Sequence, residues 1–271
     1  MCELFGMSAR YPATVNLSLD AFSHHGSRRG LNKDGWGIAL YRGLDVQLVK
    51  EPAPAEGSDC VRFIESHAMP SPIVIAHIRH ATAGAISYAN THPFTRELGG
   101  RMHTFAHNGE VEALDAKVDP RLDGARFRPI GATDSERLFC ELLARLEPLW
   151  LALEPPTLRA RRDVIEVFAA EARERGIVNF LYADGDALFV HSHFRLHPED
   201  SSAKAPGLHL LTRTCAACDA GFEHPGIAIH PGAEGMVEQV VTLVASAPLS
   251  DEPWRPLEVG ELLVLRSGSP C

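Results

Sequence analysis

The order of the apolar runs narrows the fold more than any other feature. Runs of strand length occupy both ends of the chain, and two long helical patterns sit back to back between them. "ELFGMSA" (3–9) and "GWGIALY" (35–41) read as strands, and "PIVIAHIRHAT" (72–82) as a buried strand entering a loop. "SDCVRFIESH" (58–67) suits a short helix capped by Ser58. "RMHTFAHNGE" (101–110) is a further strand, and its Asn-Gly is a turn signal. "ATDSERLFCELLARLEPLW" (132–150) is the clearest helix. Thr133 or Asp134 starts it, Glu136 has capping-box spacing, and Leu138, Leu142, Leu143 and Leu146 form one stripe. A second long helix runs from about 158 to 175. Strands return at 177–191 around an Asp-Gly turn, then at 208–214, 237–249 and 260–268. This order predicts an α+β layered domain with antiparallel sheets, not alternating βαβ units. The chain has no internal repeat. A Pro/Gly-bearing loop at 197–207 is the only linker candidate, so one domain over 1–271 is expected.

Composition excludes several classes of function. The net charge of −9 and the lack of a long basic run argue against nucleic acid as a partner. Six cysteines, at 2, 60, 140, 215, 218 and 271, are too scattered for a disulfide framework. No basic-then-apolar leader opens the chain, and apolar runs such as 73–78 and 240–248 are too short to cross a bilayer. A cytoplasmic protein with no membrane partner is expected.

Four short stretches carry residues suited to chemistry. In "MCELFG", removal of Met1 leaves Cys2 with a free α-amine beside its thiol. Such an amine titrates near ~7.7–8.0, so the nucleophile carries its own base. In "AHIRHATAG" (76–84), Arg79 emerges at a strand end, where its fork suits a carboxylate; a structural Arg binding loop carbonyls is the alternative. In "AHNGE" (106–110), Asn108 offers an amide donor, and Gly109 lets its own N–H approach a ligand. Together they suit an oxyanion hole or an ordinary hairpin. In "ATDSE" (132–136), Asp134 suits a substrate ammonium or a helix cap, and Thr133 capping would free it.

Taken together, these stretches resemble the class II glutamine amidotransferases, the N-terminal-nucleophile kind. The order is that family's: N-terminal Cys, Arg-x-Ala-Thr, His-Asn-Gly, Thr-Asp-Ser-Glu. "DGWGIALY", "NTHPF" and the late "VASAPL" and "GELLVL" resemble the stand-alone YafJ-type members, in which the glutaminase domain is nearly the whole protein. The resemblance implies a four-layer αββα sandwich of two antiparallel sheets. It implies that Cys2 attacks the side-chain amide of glutamine, with its α-amine moving the proton. Asn108 and the Gly109 N–H then hold the oxyanion, Arg79 and Thr82 anchor the α-carboxylate, and Asp134 takes the α-ammonium. The substrate is glutamine or another γ-glutamyl amide, and the chemistry needs no cofactor or metal. Little chain is left for a synthase, so the ammonia goes to a synthase partner or is released.

The chain also departs from the family pattern. It reads Arg79-His80-Ala81-Thr82-Ala83-Gly84 where better-known members have Arg-Trp-Ala-Thr-His-Gly, and Asp34 follows Arg29-Gly30 two residues late. His80 and Ala83 keep open a γ-glutamyl hydrolase acting in thiol biosynthesis. A non-catalytic module that retains the fold is a reading of another class. His80 and His92 are assigned to the pocket loop, His92 with a structural role as its alternative. "CAAC" (215–218) has a metal spacing with no second pair, and Cys60 and Cys140 read as buried apolar residues.

Overall fold

The computed structural model describes residues 2–17, 34–67, 69–80, 85–112, 126–152, 155–196, 202–216, 222–224, 227–231 and 238–271. Three α-helices lie within them: α1 (Asp59–Ser66), α2 (Asp134–Trp150) and α3 (Leu158–Arg173). The strands before α2 are β1 (Glu3–Leu17), β2 (Trp36–Arg42), β3 (Asp45–Glu51), β4 (Ser71–Ile78), β5 (Phe94–Leu98) and β6 (Arg101–Val111). After α3 come β7 (Gly176–Ala183), β8 (Leu188–His191), β9 (Arg195–Leu196), β10 (Ala203–Lys204), β11 (His209–Ala216), β12 (Phe222–His224) and β13 (Ile227–Pro231). The last four are β14 (Glu238–Ala245), β15 (Arg255–Pro256), β16 (Leu262–Arg266) and β17 (Ser269–Pro270).

The strands form two antiparallel sheets. The first runs β15-β11-β14-β1-β4-β2-β3, with β13 also on β1 and β12 on β13; the second runs β17-β16-β8-β7-β6-β5. Side chains alternate across a strand, so each sheet feeds two cores. Along β4, Ile73 and Ile75 point between the sheets, while Val74, Ala76 and Ile78 join Phe5 and Met7 on the outer face, against Val61 and Ile64 of α1. Along β7, Leu181 and Ala183 face the first sheet, while Val178, Phe180 and Tyr182 face α2 and α3. The leucine stripe of α2 is wholly in that last core, where each such side chain contributes roughly 1.5–3 kcal/mol. The layers therefore run helix, sheet, sheet, helix.

Helix starts follow their caps. Ser58 accepts from the Val61 N–H at 3.2 Å, Thr133 from Glu136 at 3.2 Å and Thr157 from Ala160 at 3.2 Å. The Glu136 carboxylate does not close a capping box on Thr133; it accepts from the Gly131 N–H at 2.6 Å and pairs with Arg96 at 2.5 Å.

One expectation is overturned. Asn108-Gly109 is no hairpin turn: β6 continues through both residues, with Asn108 opposite Asn179 and Gly109 opposite Val178 on β7. Close packing explains this glycine. A Cβ at 109 would lie 1.9 Å from the Ile177 carbonyl oxygen. Cys140 is buried as expected, while Cys60 is only half-buried against the outer core. No helix among the described residues is long and apolar enough to cross a membrane.

Candidate active site

Strand register assembles the first half of the site. Glu3 pairs with Ile78, so Cys2 sits opposite Arg79 where β1 and β4 end. Cys2 and Arg79 share the parity of Leu4 and Ile75, and Asn108 that of Ala106, all of which face the space between the sheets. The Cys2 sulfur accepts from the His80 N–H at 3.2 Å and lies 3.3 Å from the His80 carbonyl oxygen. The Asn108 side chain donates to the Cys2 carbonyl at 2.7 Å. Its remaining donor has a long contact, 3.5 Å, with the Ser246 hydroxyl.

A buried frame holds this arrangement. The Ser246 hydroxyl accepts from the Leu4 N–H at 2.9 Å, and the Asn179 amide donates to the Asn108 carbonyl at 3.1 Å. Arg195 pairs with buried Glu3 and donates to the Ser246 carbonyl at 2.9 Å. Burial pushes the Cys2 thiol up, and the His80 N–H pulls it back. A thiol so placed is neutral at rest and needs a base at the moment of attack.

Loops build the second half. Arg79 is 3% exposed, and its guanidinium donates to the Ala85 carbonyl at 3.3 Å. Thr133 caps α2, as one reading allowed, yet the Asp134 carboxylate is engaged: it accepts from the Val111 N–H at 2.9 Å and the Ser135 N–H at 2.8 Å. Val111 is three strand residues past Asn108, which places that contact about 10 Å along β6. His80 stands 3.8 Å from the Asp34 carboxylate. His92 is 4% exposed and packs with its ring tilted against His77 at 4.2 Å and Phe94 at 4.4 Å. Thr82, Ala83, Met1 and the Arg29-Gly30 pair lie outside the described residues, as does Cys218 of "CAAC". Among the described residues, no group of three His, Cys, Asp or Glu is arranged to hold a metal.

With this geometry in view, the chain was compared with known proteins. The family model for class II glutamine amidotransferases matches residues 1–271. The chain belongs to that family. A curated relative, YafJ of Escherichia coli, named as a glutamine amidotransferase, is 34% identical over 262 residues, covering 96% of each chain. A solved structure described as a predicted glutamine amidotransferase from Pseudomonas aeruginosa matches with a TM-score of 0.70 at 33% identity, over 99% of both chains. The glutamine phosphoribosylpyrophosphate amidotransferase of B. subtilis matches all of this chain and 48% of its own, with a TM-score of 0.59 and 17% identity, a likeness of fold.

In this member of the family, sequence reading missed the residues that hold the candidate site together. Asn179, Arg195 and Ser246 are 71, 192 and 138 residues from the partners they fix. No local motif marks Asn179 or Arg195, and "VASAPL" gives no sign of what Ser246 binds; strand pairing brings in Asn179 and Ser246, and the long Arg195 side chain reaches over from β9. Asn90, in "NTHPF", lies in a stretch read for another residue, and Gly131, which meets it, falls just before the helix stretch that opens at Ala132.

Proposed function

We propose that this protein, as one glutaminase domain over residues 1–271, hydrolyses the side-chain amide of glutamine through a thioester on Cys2. What supports the reading is one contact above the rest: the first residue after Met1 is a cysteine whose carbonyl is held by Asn108 at 2.7 Å, on a strand end shared with Arg79. Once Met1 is removed, the Cys2 amine is the base its neutral thiol requires.

The Cys2 sulfur attacks the amide carbon while the thiol proton passes to the α-amine. The second Asn108 donor leaves its long contact with Ser246 for the oxyanion, beside the Gly109 N–H. The resulting ammonium gives its proton to the departing nitrogen, and ammonia leaves. Water then attacks the thioester, the amine takes its proton and returns it to sulfur, and glutamate departs. Arg79 and Thr82 hold the α-carboxylate, and Asp134 the α-ammonium, exchanging part of its backbone bonding for the ligand.

The test uses the processed protein and glutamine. Glutamate and ammonia should appear in equal amounts, and a diazo-ketone glutamine mimic should add to the N-terminal peptide at Cys2. Cys2→Ala should abolish both signals. Activity surviving in Cys2→Ala, or no glutamate from a protein shown to begin at Cys2, would overturn the reading. Competition with γ-glutamyl dipeptides decides between glutamine and another γ-glutamyl amide.

A further inference from the structure

We infer that Asn90 is a positioning residue that sets the spacing of the two anchors for the amino-acid end of the substrate. The inference rests on the roles proposed above for Arg79 and Asp134. Asn90 is 4% exposed, at the end of a short 3-10 turn, Tyr88–Asn90. Its amide nitrogen donates to the Ala85 carbonyl at 2.9 Å, the same oxygen that accepts from Arg79 at 3.3 Å. Its amide oxygen accepts from the Ala132 N–H at 2.8 Å, one residue before the Thr133 cap and two before Asp134. One partner only accepts and the other only donates, so the amide has a single orientation that satisfies both.

The approach is too close for chance packing. A Cβ at Gly131 would lie 2.3 Å from the Asn90 amide oxygen and 2.8 Å from the Ala89 carbonyl oxygen. Only a glycine lets the 131–132 backbone reach the amide. The Gly131 N–H is tied in turn to Glu136, which is 1% exposed and paired with Arg96. A continuous line therefore runs from the guanidinium at 79 through one carbonyl and one side-chain amide to Ala132, the residue before the cap of α2. Asn90 touches no reacting atom in this scheme. It fixes how far apart a carboxylate and an ammonium must be to engage both anchors.

The test compares glutamine with glutaramic acid, which has the same amide and carboxylate but no α-amine. In Asn90→Ala, the KM for glutamine should rise about tenfold or more while kcat stays within about threefold, since ground-state binding is what is lost. The preference for glutamine over glutaramic acid should fall by a similar factor. Gly131→Ala keeps the amide but presses a methyl group on it, and should move the same ratio the same way. An unchanged ratio in both variants, or an equal loss for the two substrates, overturns the inference. Wild-type protein that hydrolyses neither substrate overturns the proposed function instead.

Discussion

The two halves of the site are built differently. Cys2 and Asn108 sit beside and on strands with paired neighbours, and bonds from Asn108, Glu3 and Leu4 reach Asn179, Arg195 and Ser246. Arg79 and Asp134 sit where strand and helix meet loops; the Arg79 backbone is bonded to Gly35 and Asp34, but its side chain and that of Asp134 depend on a few bridges through Asn90, Glu136 and Val111. A continuous ladder gives a group one position, because shifting it breaks every bond in register. A bridge can be cut singly. Damage to the strand half should therefore appear in the chemical step, and damage to the loop half in binding.

Asn108→Ala tests the strand half and should have the largest effect. Removing one oxyanion donor costs ~10²–10³ in turnover. The β6–β7 ladder survives the substitution, so KM should change little and the protein should remain folded. Steady-state kinetics with glutamine will show it. A loss confined to KM would mean that Asn108 only steadies the Cys2 carbonyl and that the two halves do not divide the work as argued.

The difference between the halves also explains what the sequence made legible. Layer order and most strands were readable, because apolar runs of period 2 and a leucine stripe of helical period report burial directly. Several short strands went unread, β3 and β5 among them: "DVQLVKE" and "FTREL" mix charge into short segments with exposed positions. Asn108-Gly109 was expected in a hairpin because that dipeptide suits tight turns, yet here the glycine serves a close crossing at Ile177. Cys2, Arg79, Asn108 and Asp134 were visible because each stands in a short contiguous motif. Ser246 and Arg195 were not, since their value lies in register across more than a hundred residues. Asn90 lay within "NTHPF", where attention fell on the histidine.

Arg79→Lys tests the loop half at its proposed carboxylate anchor. A lysine keeps the charge but loses the planar fork, and it cannot reach both a ligand carboxylate and the Ala85 carbonyl. KM for glutamine should rise roughly ten- to a hundredfold, or ~1.4–2.8 kcal/mol, with kcat within a few-fold. Arg79→Lys combined with Asn90→Ala sharpens the point. If both act through the same carbonyl, their effects should be less than additive. Full additivity would separate the bridge from the anchor.

The smallest effect concerns the histidines behind the loop half. His77 is fully buried two residues before Arg79, and neither ring nitrogen of His77 or His92 has a hydrogen-bond partner among the described residues; a backbone group of His107 lies beside His77 outside hydrogen-bond geometry. Burial, then the His107 and Arg79 charges, lowers His77 to about 3, and burial pushes His92 well below its usual range. The unfolded chain takes up a proton near pH 6.5 and the folded one does not, so stability is full above that pH and is lost as pH falls toward 3. For one such ring the loss between pH 6.5 and 4.5 is roughly 2 kcal/mol. His77→Phe keeps an aromatic ring against His92 and removes one proton from this balance. Urea unfolding at those two pH values should show a loss smaller by about that amount in the variant. Equal losses in the two proteins would mean that acid attacks elsewhere, and that the layer behind Arg79 is no weaker than the strand half in front of it.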